Sequence, residues 1–230
     1  MSTTTSTAIT MPSGISYSGS RRSLSLGLLI AVNFLPVLGV LFLNWDVAAL
    51  MVLYWSENLV IGFYTIAKML LKSPIGGLFS ALFFCVHYGG FCAVHGLFIL
   101  TMLINPDAEM ITGDPWPLWL VFIQLLVSVV QQVLSYAPPD WLLAFFALWV
   151  SHGASLILNY MRGGERDRLS VGQLMAAPYA RIVVLHLAVL FGGIAVMAMG
   201  QPLGMLLVLV FLKIVVDVGF HLREHWKLAQ

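Results

Sequence analysis

The sequence predicts an all-α fold, namely a polytopic integral membrane helix bundle built from seven hydrophobic helices. Hydrophobic residues make up 60% of the 230 positions and charged residues only 9%, whereas soluble domains carry about 25% charged residues. The apolar residues gather in seven runs of roughly 20 residues, which is the length that a helix needs to cross a bilayer. This composition excludes the soluble classes of protein. A net charge of +1 also offers no basic surface for nucleic acid, so the lipid bilayer is the predicted partner.

The chain divides into a tail and one membrane domain. Residues 1–22 are rich in Ser and Thr and are predicted to be disordered, whereas residues 23–230 predict a single transmembrane helical domain. The seven apolar segments cover residues 24–43, 47–71, 77–104, 117–135, 140–161, 180–199 and 202–224. The breaks between them are polar or contain proline or glycine, and the longest are an acidic loop at 105–117 and a basic connection at 162–180.

The placement of Lys and Arg separates two topologies. Lys213 lies inside the seventh segment; of the other ten Lys and Arg, four lie on one side of the membrane and six on the other if all seven segments cross. If either the fourth or the fifth segment does not cross, all ten lie on one face, as the positive-inside rule expects. The fourth segment is the better candidate for a re-entrant or interfacial helix, because it carries Gln124, Ser128, Gln131 and Gln132. Six spans place the N-terminus on the cytoplasmic side of the cell membrane, and seven remain the alternative.

Ionisable groups inside apolar segments are the strongest functional indication, because each needs a partner or a purpose in the membrane. Counting ~1.5 Å per residue along each helix, three of them reach a similar mid-membrane depth from different segments: Glu57, His87 and His152. We predict that these three converge as a catalytic or metal-binding site. Carboxylate and imidazole are normal ligands of divalent transition metals, and Asp217 and His221 would complete the set from its edge.

The seventh segment carries a polar stripe with a regular spacing of four residues. Its members are Lys213, Asp217, His221 and His225. Residues four apart lie one above another on a helix, so the stripe runs along a single face. It predicts either an ion or proton relay or, more simply, an ion pair between Lys213 and Asp217 with two histidines near the interface.

A stripe of small residues on the third segment predicts close helix packing. Cys85, Gly89, Cys92 and Gly96 share one face there, and small side chains let helix backbones approach each other in a membrane.

Two blocks of this sequence, YWSEN at 54–58 and HYGGFCAVHG at 87–96, resemble an uncharacterised family of bacterial and archaeal integral membrane proteins, domain of unknown function 6498. The resemblance covers about residues 28–226. It implies a membrane protein and carries no activity, substrate or site. The positions that align with the family's pattern are Tyr54, Trp55, Glu57, His87 and His95.

Four functions are compatible with these patterns. The first is a metal-binding enzyme or redox protein with a His and carboxylate site. The second is a haem b carrier that uses two histidines at matched depth, His87 and His152. The third is a proton- or ion-coupled transporter in which Glu57, Lys213 and Asp217 form the relay. The fourth is a membrane scaffold without chemistry.

Overall fold

The computed structural model describes residues 36–137 and 139–227, without the side chains of residues 139–140, 217 and 219–227. The predicted tail, 1–22, and the first part of segment 24–43 lie outside the described residues. Within the described ranges every regular element is a helix and there is no strand, so the all-α prediction is confirmed there.

The helices begin and end close to the predicted boundaries. They are α1 (36–43), α2 (Val47–Lys72), α3 (Pro74–Leu103), α4 (Leu120–Tyr136), α5 (Pro139–Ser155), α6 (Glu165–Arg168), α7 (Val171–Ala176), α8 (Tyr179–Met199) and α9 (Leu203–Lys227). A π-helix, Leu156–Arg162, continues α5.

Four helical stretches in the described chain are long and apolar enough to cross a membrane. They are Val47–Lys72, Pro74–Leu103, Trp141–Arg162 and Val171–Met199. Helix α4 and the apolar part of α9, Leu203–Val216, are shorter. The described helices therefore support a membrane helix bundle with four candidate spans, fewer than the six or seven expected from hydropathy.

Helices α2 and α3 form an antiparallel hairpin at the centre of the bundle. Ser73, which has an extended backbone, separates them. Pro74 occupies the first turn of α3, where a backbone N–H has no carbonyl partner within the helix, so the proline removes no hydrogen bond. Trp55 of α2 is 1% exposed and donates from its indole N–H to the Cys92 carbonyl oxygen at 2.7 Å. The same indole lies against Gly96, so the predicted small-residue stripe packs closely at its Cys92 and Gly96 end.

Helices α3 and α8 run parallel and stay in register along most of their length. His87 contacts Tyr179 near the start of α8, and His95 contacts His186 two turns later. Met102 then reaches Gly193. This register places the polar residues of α8 at the same levels as those of α3.

The connection 162–180 is not a loop through residue 180, which corrects the sequence-based expectation. Helix α7 begins with a capping box, in which the Ser170 and Gln173 side chains each accept a hydrogen bond from the other residue's backbone N–H. Its Leu174 is 4% exposed and packs with Met69 and Phe84 in the α2–α3 core. Six residues are too few for a hydropathy window to detect, and Pro178 obscures their continuity with α8.

Helix α4 pairs with the irregular segment 105–119 that precedes it. Phe122, near its N-terminus, packs against Gly90 in the middle of α3, whereas Val133 and Tyr136 line a cavity with Leu103 at the α3 C-terminus. Helix α4 therefore spans only the half of the bundle beyond Gly90, and residues 105–119 run antiparallel to it.

Three polar side chains of α4 satisfy the backbone of that segment. Gln132 exchanges two hydrogen bonds with the backbone of Glu109, at 3.2 and 2.8 Å. Ser128 accepts from the Thr112 N–H at 3.1 Å. Gln124 accepts from the Trp116 N–H at 2.7 Å and donates to the carbonyls of Thr112 and Asp114. These bonds replace the regular secondary structure that an irregular segment lacks.

Candidate functional site

Glu57 lies at the meeting point of α2, α5 and α8, where it contacts two basic side chains. One carboxylate oxygen, Oε2, is bound by the guanidinium of Arg181. The other, Oε1, lies 3.5 Å from Nε2 of His152. The Glu57 side chain is 17% exposed, that of His152 28% and that of Arg181 44%, so the carboxylate is the most enclosed group of the three and Arg181 lies at the edge of the bundle. We call Glu57, His152 and Arg181 the charge cluster.

The charge cluster contains two of the three residues predicted to converge. His87 of α3 instead points to α8, where its Nδ1 is 2.8 Å from the Tyr179 hydroxyl oxygen and its ring stacks on Phe83. Glu57 and His152 are thus brought together, whereas His87 has a partner of its own.

Arg181 is the member of the cluster that sequence reasoning missed. Its position next to the basic connection 162–180 placed it among the groups of the basic face. The structure carries the chain through α7 into the bundle before α8 begins, which brings Arg181 level with Glu57. The available indication was the isolated arginine inside YARIVVLHLAV, two residues after a tyrosine and directly before the apolar residues IVVL.

A small cavity adjoins the cluster between α2, α8 and α9. Its volume is about 120 Å³, and its polar lining comes from Tyr54, Asn58, Arg181 and Lys213. The Lys213 ammonium lies 5.0 Å from the centre of the Tyr54 ring, a cation–π contact. Asn58 is 3% exposed, and its Oδ1 has no hydrogen-bond partner within the described part of the chain. The cavity therefore combines cationic groups with an unused acceptor.

A second set of polar groups lies between α3 and α8. His95 is 2% exposed, its Nδ1 is 2.7 Å from the Phe91 carbonyl oxygen, and its Nε2 is 3.0 Å from Nδ1 of His186. Both histidines lie in apolar segments of the sequence, but the sequence alone does not pair them, because the pairing depends on the parallel register of α3 and α8. An open groove of about 630 Å³ runs beside this pair and is lined mainly by apolar side chains of both helices.

The described residues do not support the metal-site prediction. Among the described side chains, no group of three or more His, Cys, Asp or Glu is placed to hold a metal ion. Glu57 and His152 are close, but Arg181 already neutralises the carboxylate. The side chains of Asp217, His221 and His225, which the predicted ligand set and relay both require, lie outside the described residues.

Comparison with known proteins gives a family and no activity. The model of a family of unknown function, DUF6498, matches residues 16–230. No curated protein matches the chain, and no solved structure matches it either.

Proposed function

Since the chain belongs to this family of unknown function, we propose a function from its interior polar groups: the protein is a multi-pass cell-membrane transporter that carries a small anion together with a proton. The observation that carries the proposal is the Glu57–Arg181 pair, with His152 on the second carboxylate oxygen and a cationic cavity alongside.

The charge balance of the cluster couples the binding of the proton to the binding of the anion. Arg181 stays protonated at any physiological pH, so its charge needs a counter-charge wherever it is removed from water. Ionised Glu57 supplies that counter-charge. When Glu57 takes up a proton, the guanidinium is released and offers its planar fork of donors to a carboxylate or phosphate. Proton and anion are then bound together or released together.

The adjoining cavity has the size and the lining for such an anion. The cavity volume of about 120 Å³ equals the volume of roughly four water molecules, each of which occupies about 30 Å³ in the liquid. Arg181 and Lys213 supply positive charge, and the Tyr54 hydroxyl supplies a further donor.

His152 is the group suited to deliver the proton. Its Nε2 lies 3.5 Å from Glu57 Oε1, and imidazole exchanges protons near neutral pH more readily than any other side chain. The imidazole is also the more exposed of the two, at 28% against 17%. We therefore assign His152 to proton entry and Glu57 to coupling.

The topology we propose for this transporter has six spans. The predicted segment 24–43, which ends in α1, crosses, as do helices α2, α3, α5, α8 and α9, and residues 105–119 with α4 enter and leave on the same side. The half-depth packing of α4 against α3 and its hydrogen bonds to residues 109–116 support this arrangement. Both termini and the connection containing Glu165 then lie in the cytoplasm, which keeps the basic residues outside the bundle on one face.

Anion binding to the purified protein in detergent tests the proposal. We expect acetate, succinate or inorganic phosphate to raise the melting temperature relative to chloride at equal ionic strength. The Arg181→Gln variant should lose the response. The Glu57→Gln variant should keep it, because its Arg181 is already released. Lys68→Gln, which removes a basic residue paired with Glu165 outside the cluster, is the matched control.

Transport is tested with proteoliposomes that contain a pH-sensitive dye. An inward gradient of the anion that binds should acidify the lumen in the wild type and not in Glu57→Gln. If no anion stabilises the wild type, or if Glu57→Gln acidifies the lumen as the wild type does, the proposal is wrong.

Metal analysis of the same preparation addresses the other site predicted from sequence, a divalent transition metal at Glu57, His87, His152, Asp217 and His221. One equivalent of bound metal that is lost in Glu57→Gln and retained in Arg181→Gln would replace the anion proposal by that one.

A further inference from the structure

We propose that the groove between α3 and α8 binds a long-chain membrane molecule whose head group is a hydroxyl, and that His186 accepts the hydrogen bond from that hydroxyl. This site is separate from the charge cluster and does not depend on the transport proposal.

The tautomers of the histidine pair follow from its hydrogen bonds. A carbonyl oxygen only accepts, so Nδ1 of His95 carries the hydrogen that is directed to Phe91. In neutral His95, Nε2 then has a lone pair and accepts from Nδ1 of His186. Neutral His186 consequently has its proton on Nδ1 and a lone pair on Nε2.

No described residue hydrogen-bonds this lone pair, and His186 lines the groove. His186 is exposed whereas His95 is buried, so the outer imidazole of the pair is the one that a ligand meets. An acceptor in apolar surroundings stabilises a ligand that donates, such as an O–H group. A carboxylate or carbonyl head group has no hydrogen to offer to it.

The remainder of the groove fits an apolar chain. Four phenylalanines line it, namely Phe83, Phe91, Phe98 and Phe122, and each is more than 40% exposed. From Phe83 to Met102 the α3 wall is about 28 Å long, close to the thickness of a hydrocarbon core. The volume of about 630 Å³ lies within the range of small-molecule sites, roughly 300–1,000 Å³.

The groove lies on the side of the bundle where a membrane molecule can enter without crossing water. Its rim includes Leu190, Ile194 and Met197, which are 52%, 59% and 84% exposed, on a helix long and apolar enough to span the bilayer. In a membrane such exposed apolar side chains face lipid, so the groove opens towards the acyl chains.

Photo-crosslinking with two matched probes tests this site. The probes are a diazirine-labelled hexadecanol and its methyl ether, which differ only in the O–H donor. In the wild type we expect the alcohol to label peptides from 83–102 and 186–197 at least five-fold more than the ether, with unlabelled hexadecanol competing.

Two variants distinguish head-group recognition from chain binding. In His186→Asn, the amide can still donate to His95 from the position of Nδ1 but the Nε2 acceptor is gone, so labelling by the alcohol should fall to that of the ether. Leu190→Trp fills the groove and should reduce labelling by both probes. Leu143→Trp changes an equally apolar exposed position on α5 and should leave labelling by both probes unchanged.

Equal labelling by alcohol and ether in the wild type, or unchanged labelling of His186→Asn, would overturn the assignment of His186. Labelling spread evenly over all lipid-facing helices would overturn the groove as a site. Both probes should label the Glu57→Gln variant as strongly as the wild type. A failure of the transport proposal would therefore leave this result unchanged.

Discussion

At the scale of single residues, the partner of Glu57 decides what the site can do. A carboxylate surrounded by imidazoles would be a metal ligand, whereas a carboxylate bound to a guanidinium is already neutralised. Lys213, which the sequence offered as a partner of Glu57 or Asp217, lies over the Tyr54 ring. The same carboxylate is therefore better suited to exchange partners with an incoming anion than to hold a cation.

The energetic coupling of Glu57 and Arg181 is the first prediction at this scale. Glu57→Met and Arg181→Met should each lower the free energy of unfolding in detergent, because each leaves the other charge without its partner. The double variant should lose less than the sum of the singles, by about 1 kcal/mol or more. Reversible denaturant titrations of the four proteins measure this difference. Strictly additive losses would mean that the pair contributes no mutual stabilisation.

At the scale of elements, α4 depends on its polar side chains rather than on its length. The side chains of Gln124, Ser128 and Gln132 follow at intervals of four and face residues 109–116. An irregular segment at membrane depth is tolerated only when its backbone groups have partners within the protein. The glutamines that weaken the hydropathy of this segment are the residues that allow it to fold.

Gln124→Leu is therefore expected to destabilise the protein by roughly 2–4 kcal/mol, since it removes three hydrogen bonds of about 0.5–1.5 kcal/mol each. The matched control is Gln131→Leu, at an exposed glutamine of the same helix. Melting temperatures of the two variants provide the measurement. Equal melting temperatures would show that the segment does not rely on Gln124.

Helix α3 gives a second prediction at this scale, because its glycines are not equivalent. A Cβ added at Gly96 would lie 2.5 Å from the indole of Trp55, which is buried and fixed by its hydrogen bond to Cys92. At Gly89 the nearest atom is a Leu126 methyl at 3.5 Å, an ordinary contact. We expect Gly96→Ala to lower the melting temperature by several degrees and Gly89→Ala to change it little. A larger loss for Gly89→Ala would contradict this packing.

At the scale of the whole molecule, the half-depth position of α4 determines, in the proposed topology, on which side of the membrane each later connection lies. If α4 crossed, α5, α8 and α9 would all run in the opposite direction. The proposed six-span arrangement instead returns the chain to the outer side, so that α5 leads inwards to the face that contains the Lys68–Glu165 ion pair. The direction of three spans thus depends on one short helix.

Cysteine labelling in intact cells distinguishes the two arrangements. In a background without Cys85 and Cys92, a membrane-impermeant maleimide should label both Met110→Cys and Ser135→Cys from outside. Asp167→Cys should react only after the cells are permeabilised. Seven spans would place residue 135 inside and residue 167 outside, so the labelling of these two positions would be exchanged.

The sequence alone determined the helical class, the membrane setting and most helix boundaries, because these follow from hydropathy and helix-breaking residues within one segment. It also identified Glu57 and His152 as interior groups, since burying an ionisable side chain has a cost wherever it occurs. Only the tertiary structure decided which groups meet. Arg181 reaches Glu57 because α7 carries the chain inwards, and His95 reaches His186 because α3 and α8 run parallel. Such pairings depend on helix register between segments 90 or more residues apart, and no local pattern encodes that register.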